Sequence, residues 1–275
     1  DTLSYAWDID GDGLFGGPGE PVGSSPQLSW SQLEGLGISN QGTYSLAVQA
    51  DDGAGGVTIG QFLLTVLNAP PVAVSDQGSG FSTDERSAFN PGNVLANDPD
   101  PASGDVLTVS SFDTAQTLGL VVSNGDGTFL YDPNGQFNWL ASGAVAYDTF
   151  TYTVTDGDGG FSTATVTITI TGINDAPAIT APADQFVNED EVLGPLTVLL
   201  SDADTDPTLL QLTAVSSDQT LIPDSQIVIG GSGGVRTIQL LPAQDAHGGP
   251  VTITLAVSDG SHVVYSSFTV TINPV

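Results

Sequence analysis

The chain repeats itself about every 104 residues, and this repeat constrains the fold more than any other feature of the sequence. Asp-Gly pairs begin at Asp52, Asp156 and Asp259, and each is followed by an apolar run that ends in Asn with Pro close behind it. The first two pairs lie 104 residues apart, and the second two lie 103 apart. A repeat of this length predicts tandem domains of one design, each large enough for its own core.

The same shift aligns acidic positions between repeats. It places Glu85 on Glu189, Asp98 on Asp202, and Asp100 on Asp204. The opposite shift places Asp105 on Asp1 and Leu107 on Leu3. The first repeat is therefore expected to begin part-way through, with about 30 residues of the common design absent.

Alternation of apolar and polar residues sets the class of the fold. Residues 165–170 and 251–255 alternate Thr with Val, Ile or Leu, as half-buried strands do, and clusters of Gly, Pro, Asn and Asp separate such runs. One short helical turn is predicted at residues 30–34. We therefore predict an all-β chain of three tandem β-sandwich domains, arranged end to end, with the first incomplete at its N-terminus. The predicted domains are 1–69, 70–175 and 176–275.

The charge composition of the chain limits the classes of molecule that it can bind. The chain has 32 acidic side chains against two Lys and Arg residues in total, and a net charge of −30. Such a surface repels nucleic acid and anionic membranes, so its natural partners are cations. With no Cys there is no disulfide framework, and bound metal becomes the candidate that would brace these domains.

Many of the acidic residues lie at predicted strand ends beside Gly and Pro. An Asp-x-Asp turn directs alternate carboxylates toward one point, which suits the six to eight hard oxygen ligands of calcium. Without a cation, two carboxylates roughly 5 Å apart repel by about 1 kcal/mol in water and by more near protein. The pattern predicts calcium sites, with solvated turn aspartates as the alternative.

Four segments of the middle repeat carry a family resemblance. They read Asn93-Val94-Leu95-Ala96-Asn97-Asp98, Gly104-Asp105-Val106-Leu107-Thr108-Val109, Asp126-Gly127-Thr128-Phe129-Leu130-Tyr131 and Phe150-Thr151-Tyr152-Thr153-Val154-Thr155-Asp156. The middle repeat resembles the bacterial cadherin-like and VCBS-type repeats of giant surface proteins, and residues 178–275 resemble a sister cadherin-like repeat. The resemblance implies an all-β fold of three tandem immunoglobulin-like (cadherin-like) β-sandwiches, arranged end to end. Residues 1–67, with Tyr5-Ala6-Trp7-Asp8, are similar to the truncated end of a polycystic-kidney-disease-type (PKD-like) domain.

The resemblance implies calcium ligands at the two junctions between domains. For the second junction it implies Glu85, Asn174, Asp175, Asp202, Asp204 and Asp259. For the first junction it implies Asn68, Asp98, Asp100 and Asp156. The first linker, residues 68–70, contains no Asp, so its site is expected to be weaker or absent.

A third candidate site lies near the start of the chain. Asp8, Asp10 and Asp12 match the opening of an EF-hand calcium loop. The twelfth position of that loop is Gly19, and Glu20 falls one residue late, where an EF-hand carries a Glu. The sequence leaves two alternatives open, an isolated calcium loop or an acidic hairpin turn.

Catalysis is not expected. The chain offers no Cys or Lys nucleophile, and its two histidines, His247 and His262, are predicted on the surface. A zinc site would need a third ligand, for which Asp245 is the candidate. Trp7 and Trp139 are predicted to pack in cores, while Trp30 is the best candidate for an exposed aromatic platform.

The predicted function is a calcium-rigidified extracellular stalk or adhesin module of a large bacterial surface or secreted protein. Its expected partners are calcium, the neighbouring repeats, and a polysaccharide or cell-surface protein. One alternative is a carbohydrate-binding accessory module of a secreted polysaccharide-degrading enzyme. Another is a filament subunit whose first domain is completed by a strand donated from a neighbour.

Overall fold

The computed structural model describes residues 2–39, 41–101 and 105–275, so Asp1 and Gly104 of the sequence comparisons lie outside the described residues. The first part contains β1 (Ser4–Asp8), α1 (Trp30–Gly35), β2 (Gly42–Asp51) and β3 (Val57–Val66). The middle part contains β4 (Ser82–Asp84), β5 (Thr108–Asp113), β6 (Leu120–Ser123), β7 (Phe129–Asp132), β8 (Val145–Thr155) and β9 (Phe161–Thr171). The last part contains β10 (Ala178–Thr180), β11 (Gln185–Asn188), β12 (Leu193–Ser201), β13 (Gln211–Ser216), β14 (Ile227–Ser232), β15 (Val235–Leu240), β16 (Gly248–Ser258) and β17 (Val263–Asn273). A short 3-10 turn, Asp224–Gln226, precedes β14.

The strands form the sheets of tandem immunoglobulin-like sandwiches, which confirms the predicted fold class. In the last part, a sheet of order β10-β12-β15-β14 faces one of order β11-β17-β16-β13. In the middle part, a sheet of order β4-β9-β8-β5 shares its core with the hairpin β6-β7. A short parallel strand borders the last long strand in both, β4 beside β9 and β11 beside β17. We call these two units the middle and last sandwiches.

Long hairpins account for the repeat seen in the sequence. β2–β3, β8–β9 and β16–β17 are antiparallel pairs, and the turn of each begins at Asp52, Asp156 or Asp259. A side-chain oxygen of each Asp accepts hydrogen bonds from backbone N–H groups of its own turn, which shapes the reversal. The hairpins therefore carry one acidic turn at the same end of each repeat.

Alternation along the hairpins builds the cores. In β8 and β9, Tyr152, Val154 and Ile168 are fully buried, while the threonines between them face outward. Ile253 and Leu255 of β16 are fully buried in the same way in the last sandwich. Two faces of opposite polarity are what a period of two residues requires.

The first part is more open. Among the described residues before 68 there is one three-stranded sheet, β1-β2-β3, as an incomplete sandwich would have. Its buried core is small, formed by Ile9, Leu36, Ile38 and Leu46. An open groove of about 330 Å³ lies over this sheet, lined in part by Trp7 and Phe62. The predicted turn at 30–34 is confirmed as α1, which begins with a Ser29–Gln32 capping box.

The tryptophans divide differently from the prediction. Trp7 is half-buried against the core of the first part and donates a hydrogen bond to Gly23 O at 2.8 Å. Trp139 was predicted to be a core residue, and this is wrong, because the residue is 62% exposed. Its neighbours Phe137 and Leu140, three residues apart in a turn, fill the core and leave Trp139 facing outward.

We expect alanine substitutions in the hairpin β16–β17 to show which face of the hairpin packs in the core. Ile253→Ala removes a fully buried side chain and should lower the free energy of opening of this hairpin by about 2–5 kcal/mol. Val263→Ala, in the partner strand at a half-exposed position, should change it by no more than about 0.5 kcal/mol. Hydrogen exchange of peptides from the hairpin measures both, and equal effects would contradict the assigned face.

Candidate metal centres

Several buried polar atoms lack a hydrogen-bond partner, and they are carboxylate or amide oxygens. Among the described residues they include Asn68 Oδ1, Glu85 Oε2, Asp175 Oδ2 and Asp202 Oδ2, all on residues predicted as junction ligands. A buried acceptor left without a donor costs about 1–3 kcal/mol, and more when it is charged. A cation bound at the junctions would satisfy such oxygens.

At the second junction, the linker asparagine forms a hydrogen bond with the last sandwich. Asn174 Nδ2 donates a hydrogen bond to Asp259 Oδ2 at 2.8 Å, across 85 residues of chain. Backbone N–H groups of Ser261 and His262 also donate to Asp259, and these contacts, opposed by its burial, lower the pKa of this carboxyl to about 2. Asp259 is therefore ionised at neutral pH, and its hydrogen bond with Asn174 connects the turn of the last hairpin to the linker.

The Asp-x-Asp turn of the last sandwich meets the same linker. Asp175 N donates to Asp204 Oδ1 at 3.2 Å. Asp202 Oδ1 accepts from Asp204 N at 3.1 Å and from Thr205 N at 3.0 Å, which leaves its other oxygen without a partner. Burial, together with the Asp202 side chain, raises the pKa of Asp204. The turn places two carboxylates beside each other where the linker enters.

Glu85 reaches this junction from the middle sandwich. It follows β4, is fully buried, and accepts a hydrogen bond from Ile173 N at 3.2 Å. Burial raises the pKa of its carboxyl, and the charge of Asp204 acts in the same direction. Glu85 and Asp204 are therefore close enough to interact electrostatically, although they belong to different sandwiches.

Arg86 is a member of this junction that the sequence prediction missed. Its guanidinium forms an ion pair with Asp175, whose side chain is 16% exposed. The other arginine, Arg236, is buried in the last sandwich and donates to the carbonyls of Pro207 and Leu210. Arg86 thus supplies positive charge to the second junction, and its position next to Glu85 in the sequence was the available signal.

The first junction repeats the Asn–Asp contact. Asn68 Nδ2 donates to Asp156 Oδ2 at 2.7 Å. One carboxylate oxygen from each of Asp100, Asp105 and Asp156 lies within 4.8 Å of the other two. Asp105 was not predicted as a ligand, and it adds a carboxylate where the linker lacks one. Of the six residues predicted at the second junction, no three carboxylates converge this closely within the described residues.

Asp98, the remaining ligand predicted for the first junction, lies against Tyr152 in the middle sandwich. The Tyr152 hydroxyl is 2.9 and 3.0 Å from its two carboxylate oxygens, and Val74 N donates to Oδ1 at 2.7 Å. Asp76, a buried carboxylate that was not predicted, is its neighbour. Burial raises the pKa of Asp76 to about 6, with the charge of Asp98 acting in the same direction.

The acidic loop near the start of the chain closes around its own backbone. Asp8 accepts hydrogen bonds from Gly11 N at 2.8 Å and from Gly13 N at 3.1 Å, and both glycines have positive φ. Carboxylate oxygens of Asp8, Asp10 and Glu20 lie within 4.8 Å of one another. Asp12 is outside this group and accepts from Leu14 N at 2.7 Å. Glu20, one residue after the EF-hand position, is thus the third carboxylate of this group in place of Asp12.

The histidines lie at opposite ends of the last sandwich. His262 Nδ1 is 2.8 Å from Asn174 Nδ2 at the second junction, and His247 Nδ1 is 3.1 Å from Glu189 Oε2. Both side chains are about half exposed. Within the ranges that the structure describes, neither histidine nor Asp245 belongs to a group of three converging metal-ligand atoms.

Comparison with known families supports the repeats. Residues 68–172 match the family model of the bacterial cadherin-like domain, and residues 174–273 match that of the bacterial Ig domain. These matches confirm the suspected bacterial cadherin-like repeats, and both families are typically non-catalytic. No curated protein shows significant sequence similarity to the chain.

Solved structures of low identity also resemble the chain. Mouse cadherin-23 EC22-24 is 14% identical with a TM-score of 0.46, over 99% of this chain and 86% of that one. Protocadherin gamma B2 extracellular cadherin domains 1-5 are 18% identical with a TM-score of 0.48, over 85% and 45%. An endo-fucoidan hydrolase of glycoside hydrolase family 107 is 16% identical with a TM-score of 0.30, over 86% of this chain and only 35% of its own. In the described part of the chain, no helix has the length and apolar character of a membrane span.

The pairing of Arg86 with Asp175 predicts a measurable coupling. In EDTA and low salt, Arg86→Gln should lower the free energy of unfolding by up to about 1 kcal/mol, the usual limit for a partly exposed ion pair. The loss should shrink in 0.5 M salt, where roughly 4 Å of screening length remains. In an Asp175→Asn background, Arg86→Gln should have little further effect, and additive losses in this double-mutant cycle, measured by thermal unfolding, would contradict the pairing.

Proposed function

Since the chain carries bacterial cadherin-like and bacterial Ig repeats, we propose that it is a calcium-rigidified stalk segment of a large extracellular bacterial surface protein. The observation that carries this proposal is the set of buried, unpartnered oxygens on Asn68, Glu85, Asp175 and Asp202. They lie where one domain follows another, and none belongs to a hydrophobic core cluster.

The donor atoms fit calcium. Carboxylate and amide oxygens are hard ligands, and a net charge of −30 favours a divalent cation. The second junction would use Glu85, Asn174, Asp175, Asp202, Asp204 and Asp259, and the first would use Asn68, Asp100, Asp105 and Asp156. Calcium bound there would neutralise the carboxylates and link groups from successive domains.

Stiffness would follow from where these groups lie in the chain. At the second junction, Glu85 belongs to the middle sandwich, Asp175 to the linker and Asp259 to the last sandwich. Burial raises the pKa of Glu85, and the negative charge of Asp204 on the other side of the junction acts in the same direction, as a repulsion between the two carboxylates. Occupation of the site would replace this repulsion with a shared attraction, and would restrict bending at the linker.

A location outside the cell, which we propose, would agree with such a mechanism. Bacterial cadherin-like and Ig domains typically occur in extracellular surface proteins. Extracellular calcium modules bind with dissociation constants of about 0.1–1 mM, so a segment of this kind stiffens after export. The proposed partners are calcium and the adjoining repeats, and adhesion to a polysaccharide or cell-surface protein would be a further property of the whole protein.

Calcium should stabilise and straighten the chain. Each site at a hundredfold excess over its dissociation constant adds about 2.7 kcal/mol to the free energy of unfolding, so the melting temperature of a domain of about 100 residues with one site should rise by about 10–20 °C over that in EDTA. Small-angle scattering should report a longer particle with less bending.

Matched variants locate the effect. Asp175→Asn with Asp259→Asn should abolish most of the stiffening at the second junction, whereas Asp113→Asn, an exposed acid on β5, should leave it intact. Equal responses of these variants, or no response of the wild-type chain to calcium, would contradict the proposal.

A second candidate is a filament subunit completed by a donated strand. It is favoured by β3, where Val57, Ile59 and Leu63 are at least half exposed and β2 is the one strand paired with it among the described residues. Sedimentation at increasing protein concentration tests this, because a chain that stays monomeric does not accept strands from its copies.

A further inference from the structure

A cluster of oxygen atoms lies inside the middle sandwich, around the hydroxyl group of Tyr152. This hydroxyl is 2.9 and 3.0 Å from the two oxygens of Asp98, 3.0 Å from Val94 O and 3.2 Å from Val74 O. The oxygens come from the segment before β4, from residues 94–98 and from β8, so three separate stretches of chain meet here.

Protons are too few for these contacts. A phenol has one hydrogen to donate, and carboxylate and carbonyl oxygens have none. One of the four contacts can therefore be a hydrogen bond, and the others bring oxygen atoms together without a proton between them. Such an arrangement is unfavourable unless a cation, or a further proton on a carboxylate, lies among the oxygens.

Asp76 adds a second carboxylate to this cluster of oxygen atoms. The residue is 5% exposed, and its Oδ2 is buried with no hydrogen-bond partner. Tyr152, Asn97 and Asp98 are the side chains that influence its ionisation, which places them around its carboxylate.

The backbone holds Asp76 in position. Its N–H donates to Thr165 O at 3.0 Å, and its own carbonyl accepts from Thr167 N at 2.9 Å, both on β9. These two hydrogen bonds fix the main chain of Asp76 on the edge of the sheet. A buried oxygen on a fixed backbone is the independent sign that this cluster is built for a ligand.

We propose that Asp76 and Asp98, with the carbonyls of Val74 and Val94, bind a hard divalent cation such as calcium within the middle sandwich. This site is separate from the first junction, where Asp100, Asp105 and Asp156 converge. Its ligands all belong to one sandwich, so it does not depend on the proposed stalk function. Its effect is to fasten residues 74–76 and 94–98 to β8 and β9.

Diffraction tests the site directly in the unmodified chain. Crystals grown in calcium and soaked in strontium or ytterbium should give an anomalous peak about 2.3–2.6 Å from carboxylate oxygens of both Asp76 and Asp98. A water molecule without anomalous signal, or no density between them, would overturn the proposal.

Calorimetric titration with calcium counts the ions in solution. Asp76→Asn should bind one ion fewer than the wild-type chain, while Asp113→Asn, with the same loss of charge at an exposed position of this sandwich, should bind the full number. Asp175→Asn should affect the second junction and keep the internal ion. An unchanged ion count in a folded Asp76→Asn variant would refute the site, whatever the outcome at the junction.

Discussion

The rest of this structure depends on burying carboxylate oxygens where successive domains meet. Glu85 is fully buried with one oxygen unpartnered, and Asp175 and Asp202 each have a buried oxygen in the same condition. The guanidinium of Arg86 offsets part of this negative charge by its ion pair with Asp175 at the second junction. A cation bound at the junction, as proposed, would satisfy these buried oxygens and offset their charge.

The sandwiches make this concentration of charge possible. Each long hairpin anchors its acidic turn on a core of alternating buried residues, such as Tyr152 and Val154 in β8 or Ile253 and Leu255 in β16. The hydrophobic clusters of the two cores lie apart from the acidic turns and linkers, which carry most of the junction carboxylates. In the proposed mechanism, a domain would remain folded while calcium changes the stiffness of its junction.

Differences between the two junctions follow from single residues. At the first, Asp105 brings a third carboxylate beside Asp100 and Asp156. At the second, the linker itself contributes Asp175, which Arg86 partly neutralises. The two junctions share the Asn–Asp contact and differ in how the remaining charge is arranged, so the calcium sites proposed there would differ in affinity.

The sequence by itself determined the all-β class, the repeat and the acidic turns, because alternation and Asp-Gly turns are local properties that neighbouring residues settle. Only the tertiary structure decided which carboxylates meet. Glu20 joined Asp8, Asp105 joined Asp156, and Asp98 lay against Tyr152. Trp139 turned outward because Phe137 and Leu140 occupied the core beneath it. Such choices depend on distances across sheets between residues far apart in the chain, and a one-dimensional pattern does not contain those distances.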